Sequence, residues 1–230
     1  MARRTKEEAQ ETRQHLLDAA EHLFQAQGVS RTSLHDIAAR AGATRGAVYW
    51  HFKDKADLFN AMMERVTLPL EDYFSPEESA AKIDDAPDIH ALDRTRNGIL
   101  HALTQIVNDA QTRRVLEVAT QKVEYVEEHK TIRLRHLAVR NSFLERAEQR
   151  LDAAARQSGL TLPIPPAMAA RGLHALVDGL IQNWLLDPQA FDLPQAGQHT
   201  VDVYLGGLGF HHPSPKERPG MAGGGLVSNS

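Results

Sequence analysis

The sequence predicts an all-α protein: an N-terminal three-helix helix-turn-helix unit followed by a larger helical domain. Two observations carry that expectation. Apolar residues recur at three- and four-residue spacing through most of the chain, as in helices with one buried stripe. No alternating apolar–polar run of useful length reads as a strand, and no internal repeat is visible.

The elements follow in order. In "RQHLLDAAEHLFQAQG", Leu16, Leu17, Ala20, Leu23 and Phe24 share one stripe, and Gly28 closes the helix as a C-cap would. Arg31 and Thr32 make a short turn. Ser33 stands three residues before Asp36, the spacing of a capping box, and Leu34, Ile37, Ala38 and Ala41 form the next stripe, which Gly42 ends. Thr44 can cap a third helix, in which Val48 and Phe52 lie one turn apart on the same face. "KDKADLFNAMMERV" opens a fourth helix with Leu58, Met62 and Val66 as its buried line. Residues 73–90, with "SPEES" and "DDAPD", read as a loop or frayed helix end. Helical stripes resume over 91–109, 112–127, 131–158, 166–187 and 198–209. They are broken at "SGLTLPIPP", because Pro163, Pro165 and Pro166 cannot sit inside a helix. The organisation expected is a helix-turn-helix domain over 1–55, a helical domain over 56–210, and a Pro-, Gly- and Ser-rich disordered tail over 211–230.

Composition narrows the functional classes. Cysteine is absent, which removes disulfides, thiolate chemistry and cysteine-ligated zinc. The histidines are scattered, without a His-x3-His or carboxylate cluster, so no metal and no cofactor is expected. No G-x-S-x-G, phosphate-binding loop or strand–glycine turn–helix occurs, and "GGLG" at 206–209 reads as a helix end; an enzyme is not expected. No apolar run approaches the ~20 residues of a membrane-spanning helix, and "MARRTKEEAQETRQ" lacks a signal-peptide core, so the expected location is cytoplasmic. The net charge of −4 argues against nucleic acid for the chain as a whole. Yet residues 1–55 carry nine basic and seven acidic residues, while the remainder carries 17 basic and 23 acidic. A mildly basic unit on an acidic body fits local contact with phosphates.

The third helix, "RGAVYWH", crowds Arg, Tyr, Trp and His into seven residues just after a glycine turn. Two helices joined by such a turn read as a helix-turn-helix, whose second member enters the DNA major groove. With Val48 and Phe52 facing the core, Gly46 and Trp50 project from the opposite side, flanked by Tyr49 and His51. The aromatics are therefore on the wrong face for a packed core helix. Gly46 allows close approach of backbone, and Arg45 has the fork geometry for guanine O6 and N7. Tyr49, Trp50 and His51 offer donors for phosphate oxygens, as do Thr32, Ser33 and the cap Thr44. Lys55 begins the fourth helix close by.

These residues also carry a resemblance. "TSLHDIAARAGATRGAVYWHFKDKADLF" (32–59) resembles the DNA-binding signature of the TetR family of transcriptional repressors. The matching features are the Ser/Thr-capped second helix, the recognition helix ending Tyr-aromatic-His-Phe, and the lysine opening the fourth helix. "ARRTKEEAQETRQHLLDAAEHLF", "DAQTRRVLEVATQKVEY" (109–125) and "VDGLIQNWLLDPQAFDL" (177–193) are similar to the AcrR/TtgR-type repressors of multidrug efflux pumps. The resemblance implies that 56–210 holds a small-molecule cavity and pairs with a second copy.

Sequence physics bears on both implications. Met168, Leu173, Leu176, Val177, Leu180, Ile181, Trp184 and Leu185 surround more than one face of the helix 166–187, as do Val201, Val203, Leu205 and Leu208 in 198–209. Such helices need partners on two sides: their own core and a copy of themselves, or else one larger monomeric core. Candidate ligand contacts are His174 and Asp178, polar residues one turn apart among apolar ones, and Leu116, Thr120, Gln121 and Glu124 on the segment that resembles the cavity-lining helix. Asp178 could equally brace a neighbouring helix, and Leu116 and Thr120 stand where relatives carry polar or imidazole side chains. The expected function is a dimeric repressor that binds double-stranded operator DNA and is released by small hydrophobic or drug-like molecules. The alternatives are a TetR-type repressor with a metabolite effector, and a helical small-molecule-binding protein that does not use DNA.

Overall fold

The computed structural model describes residues 2–65, 91–123 and 130–210. Val66, the expected loop at 73–90, Glu124 and the 211–230 tail lie outside the described residues. Nine helices are described: α1 (Ala2–Gln27), α2 (Leu34–Arg40), α3 (Arg45–His51), α4 (Lys55–Arg65), α5 (Ala91–Asn108), α6 (Ala110–Gln121), α7 (Lys130–Gln157), α8 (Pro166–Leu186) and α9 (Leu193–Gly207). No strand occurs among the described residues.

The local signals at the N-terminus act as expected. Gly28 adopts φ +88° and its N–H closes on Phe24 O at 2.9 Å, a left-handed stop that a side chain would strain. The Ser33–Asp36 capping box is formed in both directions. Gly42, at φ +65°, turns the chain between α2 and α3. Thr44 Oγ1 then accepts from Ala47 N–H at 3.2 Å to start α3. Phe52 lies just past α3 as its C-cap, yet is buried with Val48 as the periodicity required.

Two helix ends differ from expectation. The stripe expected to reach 127 stops as a helix at Gln121, where Lys122 is the C-cap and donates to Val118 O. The last helix begins at Leu193 rather than 198. Asp192 caps it, accepting from Gln195 N–H at 2.8 Å, and Pro194 sits in the first turn where its missing N–H is not needed. That turn buries Leu193 and Gly197, but its Pro194 and Gly197 read in sequence as helix breakers and hide the stripe that continues to Val201.

Two hydrophobic cores organise the chain. The first joins Leu16, Leu17 and Phe24 of α1, Ile37 of α2, Val48, Phe52 and the α4 residues Leu58, Phe59 and Met62. It also takes in Val115, Val118 and Ala119 from α6. The second is built from α5, α7, α8 and α9 around Leu103, Leu151, Leu173, Val177 and Val201, and Leu116 of α6 packs against it. One helix thus contributes to both cores.

The second core depends on close helix approach. Tyr204 of α9 donates its O–H to Ala169 O at 2.8 Å across the bare face of Gly172. A Cβ at 172 would stand 2.9 Å from Tyr204 Cζ. Gly172→Ala should force the ring aside: overpacking costs about 1–3 kcal/mol, and losing the hydroxyl bond roughly 1 kcal/mol more. Together these outweigh the ~1 kcal/mol that alanine gains over glycine in a helix. The expected result is a lower melting temperature by calorimetry, and an unchanged or raised one would show that α8 and α9 can separate freely. Arg96 of α5 adds a two-pronged ion pair to Asp202 of α9, at 2.5 and 2.9 Å.

Candidate nucleic-acid interface

The face of α3 opposite Val48 is open. Trp50 is 72% exposed and Tyr49 51%, values that rule out a packed-core role for either ring in the protomer. Arg45 is exposed at the first position of the helix, its guanidinium 5.7 Å from the centroid of the Tyr49 ring. Beside it Gly46 is uncovered; a Cβ there would meet only Thr44 Oγ1, at an ordinary 3.8 Å. Thr44 is exposed as well, with its oxygen committed to the α3 cap. His51 is half-buried, edge-on to Trp50 at 4.5 Å between centroids. Burial, and then the nearby Arg13, holds its imidazole pKa below the usual value, which favours a neutral ring. Arg13 itself lies over Phe52 at 5.3 Å, tying α1 to the end of α3.

Two residues expected to reach phosphate are occupied elsewhere. Thr32 is buried, and its hydroxyl donates to Gly28 O at 2.8 Å while accepting from Gln27 Nε2. It completes the end of α1 rather than facing solvent. Lys55 sends its ammonium to three backbone carbonyls, Val29 O at 2.8 Å, Ser30 O at 3.2 Å and Thr32 O at 3.1 Å. Those carbonyls belong to the turn between α1 and α2, so Lys55 is a brace for that turn. Ser33 is exposed, but its O–H donates to Asp36 Oδ2 at 2.6 Å within the capping box. Conversely, Lys53 and Arg40 are exposed cations flanking α3 and ending α2, and sequence reasoning passed over both. Their signal was available: each is a basic residue a few positions from the recognition helix.

The ligand candidates are split between two places. On α6, Leu116 is partly buried against the second core, Thr120 returns its O–H to Leu116 O at 2.8 Å, and the Gln121 Nε2 is buried without a hydrogen-bond partner. Glu124 lies outside the described residues. On α8, His174 packs against Phe143 with centroids 5.4 Å apart, and Asp178 accepts from Gln182 Nε2 at 2.6 Å. Burial lowers the pKa of His174 and of His136 on α7, while the Asp178 charge acts in the opposite sense on both. Two surface grooves near the α7–α8 connection, lined by residues such as Leu160, Ile164 and Pro166 and by Glu145 and Asp152, include none of these candidates. Among the described residues no group of His, Asp and Glu is arranged to hold a metal ion, and no helix is long and apolar enough to cross a membrane.

Comparison with known proteins covers both halves of the chain. Residues 16–62 match the family model for bacterial regulatory proteins of the tetR family, and residues 90–210 match that for the C-terminal region of MAATS-type transcriptional repressors. The HTH-type transcriptional regulator AcrR of Shigella flexneri is 40% identical over 208 residues, 89% of this chain and 93% of that protein. The HTH-type transcriptional regulator TtgR of Pseudomonas putida is 38% identical over 205 residues, 89% of this chain and 95% of that one. Among solved structures, NalD, the secondary repressor of the MexAB-OprM multidrug efflux pump in Pseudomonas aeruginosa, superposes with a TM-score of 0.76 at 37% identity, covering 87% of this chain and 98% of its own. A SmeT–triclosan complex gives 0.72 at 32% identity, covering 94% and 99%. With an exposed recognition helix at its N-terminus and family matches across both halves, this chain belongs to the TetR family of bacterial transcriptional regulators.

Proposed function

We propose that this chain is a dimeric, ligand-responsive repressor of a multidrug efflux operon, with residues 1–55 as the reading head and 56–210 as the ligand-binding and dimerisation body. The observation that carries the reading is the exposed Arg45–Tyr49–Trp50 face of α3, in a chain whose near full-length relatives include an efflux-pump repressor. Arg45 is assigned to base edges; Thr44, Tyr49, Trp50, His51 and the exposed Lys53 are assigned to phosphates, with Gly46 admitting the backbone. Dimerisation through α8 and α9 is supported by apolar side chains left exposed on them: Met168, Leu186 and Val203. Two copies would read half-sites about 34–36 Å apart or a multiple of that, and an effector in the body would favour a spacing that no longer fits. By linkage, operator DNA then weakens effector binding by the same factor. The buried, unpartnered amide of Gln121 supports a polar wall facing a ligand or water. A gel shift with the chain's own upstream intergenic DNA, with and without triclosan, tests the reading. Failure to shift any such DNA at low salt would overturn it.

Asp178 offers a second test. Its carboxylate has one donor from its own helix and two half-buried imidazoles nearby, so a cationic ligand would find a charge already in place. Asp178→Asn should leave operator binding intact and weaken cationic ligands by roughly 1.5–3 kcal/mol, the worth of a charge-assisted bond. Neutral ligands should change less. Calorimetric titration with a charged and neutral panel decides it; a variant that binds the whole panel like the parent, or loses stability first, makes Asp178 a brace.

A further inference from the structure

Among the described residues, Glu21 is the only charged side chain that is fully buried. It sits on α1, in the reading head, but its partners come from elsewhere. Oε1 accepts from Arg65 Nη1 at 3.1 Å, at the end of α4, and from Gln111 Nε2 at 2.9 Å, on α6. Arg65 is held in turn by Asp18 at 2.5 Å. Buried ion pairs add little net stability, because desolvation offsets their attraction. What such a group supplies is a defined geometry among the helices that meet at it.

The arrangement is also incomplete. Arg114 of α6 points its Nε at Glu21 Oε2 but stops at 3.7 Å, and that Nε is buried with no hydrogen bond. The same guanidinium has Nη1 3.5 Å from His22 Nδ1 on α1, and an unmet buried donor facing a buried acceptor is a costly gap that a small shift of α6 would close. Burial raises the Glu21 carboxyl pKa, and Gln111, Arg65 and Arg114 act against that rise.

The position of this joint gives it meaning. α6 starts at Asp109, whose carboxylate caps it by accepting from the Gln111 and Thr112 N–H groups, directly after α5 ends. From there it runs along α1: Gln25 donates to Glu117 at 2.8 Å, and Val29 N–H donates to Lys122 O at 3.1 Å. The same helix sends Leu116 into the body's core and Val115, Val118 and Ala119 into the head's. We infer that Glu21 is a positioning residue, a clasp through which the placement of α6 in the body sets the placement of the reading head, with Arg114 as its moving arm. This rests on the repressor reading above and adds to it the residues that transmit the signal.

The test uses the full-length protein and two variants, Glu21→Gln, which keeps shape and removes charge, and Arg114→Met, which keeps the stem and removes the arm. Operator affinity is measured with and without saturating triclosan or ethidium, effector affinity is measured without DNA, and amide exchange is followed at Val29 and across 110–118. Effector coupling is typically 5–150-fold; it should collapse to within about twofold of no coupling in both variants, while each still binds the effector. Exchange at Val29 should quicken, since its amide spans the joint. Coupling retained in both variants, or a fall in stability with coupling intact, overturns the inference; if Glu21→Gln fails to fold, Arg114→Met decides alone. A parent that responds to neither probe counts against the effector half of the repressor reading. In that case unchanged exchange at Val29 in the variants removes the clasp as well, and quickened exchange supports it.

Discussion

Arg45→Ala should weaken binding to the cognate operator by about 1–3 kcal/mol and relax preference at one base pair in each half-site. The physical case is pre-organisation. Arg45 is the first residue of α3, exposed, with its guanidinium resting near the face of Tyr49. A planar fork held by an aromatic neighbour loses less freedom on forming two parallel bonds to a guanine edge than a free side chain does. Competition binding against operators altered at single positions separates the outcomes. Loss of discrimination at one position identifies base readout. A drop of equal size for every sequence would instead make Arg45 a phosphate contact.

Lys55→Met should unfold the head more readily, by roughly 1.5–3 kcal/mol, the range for hydrogen bonds to a charged group. The methionine keeps the stem but leaves the carbonyls of Val29, Ser30 and Thr32 without the ammonium that gathers them. Operator binding should fall with it, because α2 begins directly after that turn. The diagnostic is salt. A lysine on a phosphate contributes about one unit per contact to the slope of log affinity against log salt, so its removal would flatten the slope in a well-folded protein. A brace predicts the reverse pattern: an unchanged slope and a lower melting temperature. Thermal unfolding and salt-titrated binding on the same sample decide between them.

The contrast between Arg45 and Lys55 shows what sequence can carry. Gly28, Gly42, the Ser33–Asp36 box and the Thr44 cap were legible because each acts within four residues of itself. The exposed face of α3 was legible because Val48 and Phe52 define its reverse side. The backbone partners of Lys55 were not legible because they lie 23 to 26 positions away, and a lysine beside a recognition helix looks the same in sequence whether it points out or back. The same holds at shorter range for Thr32, whose hydroxyl turns into the end of α1. Glu21 was passed over although it stands one turn from Leu17 and from Phe24, at the edge of the apolar stripe. What it is buried against was not legible, since Arg65 and Gln111 lie 44 and 90 positions away. α6 was legible as a helix but not as a shared wall, since periodicity cannot say which core each apolar residue joins.

That sharing limits how the protein can be taken apart. A fragment ending at Arg65 would keep every expected DNA-contacting residue yet lose Val115, Val118 and Ala119, leaving Leu16, Leu17 and their neighbours with an uncovered flank. The operator-recognising half is therefore not a transplantable cartridge. A chimera that joins this head to a relative's body must bring residues 110–121 along, or match the three small apolar side chains they present. Otherwise it exposes the first core to water and invites aggregation before any operator is met.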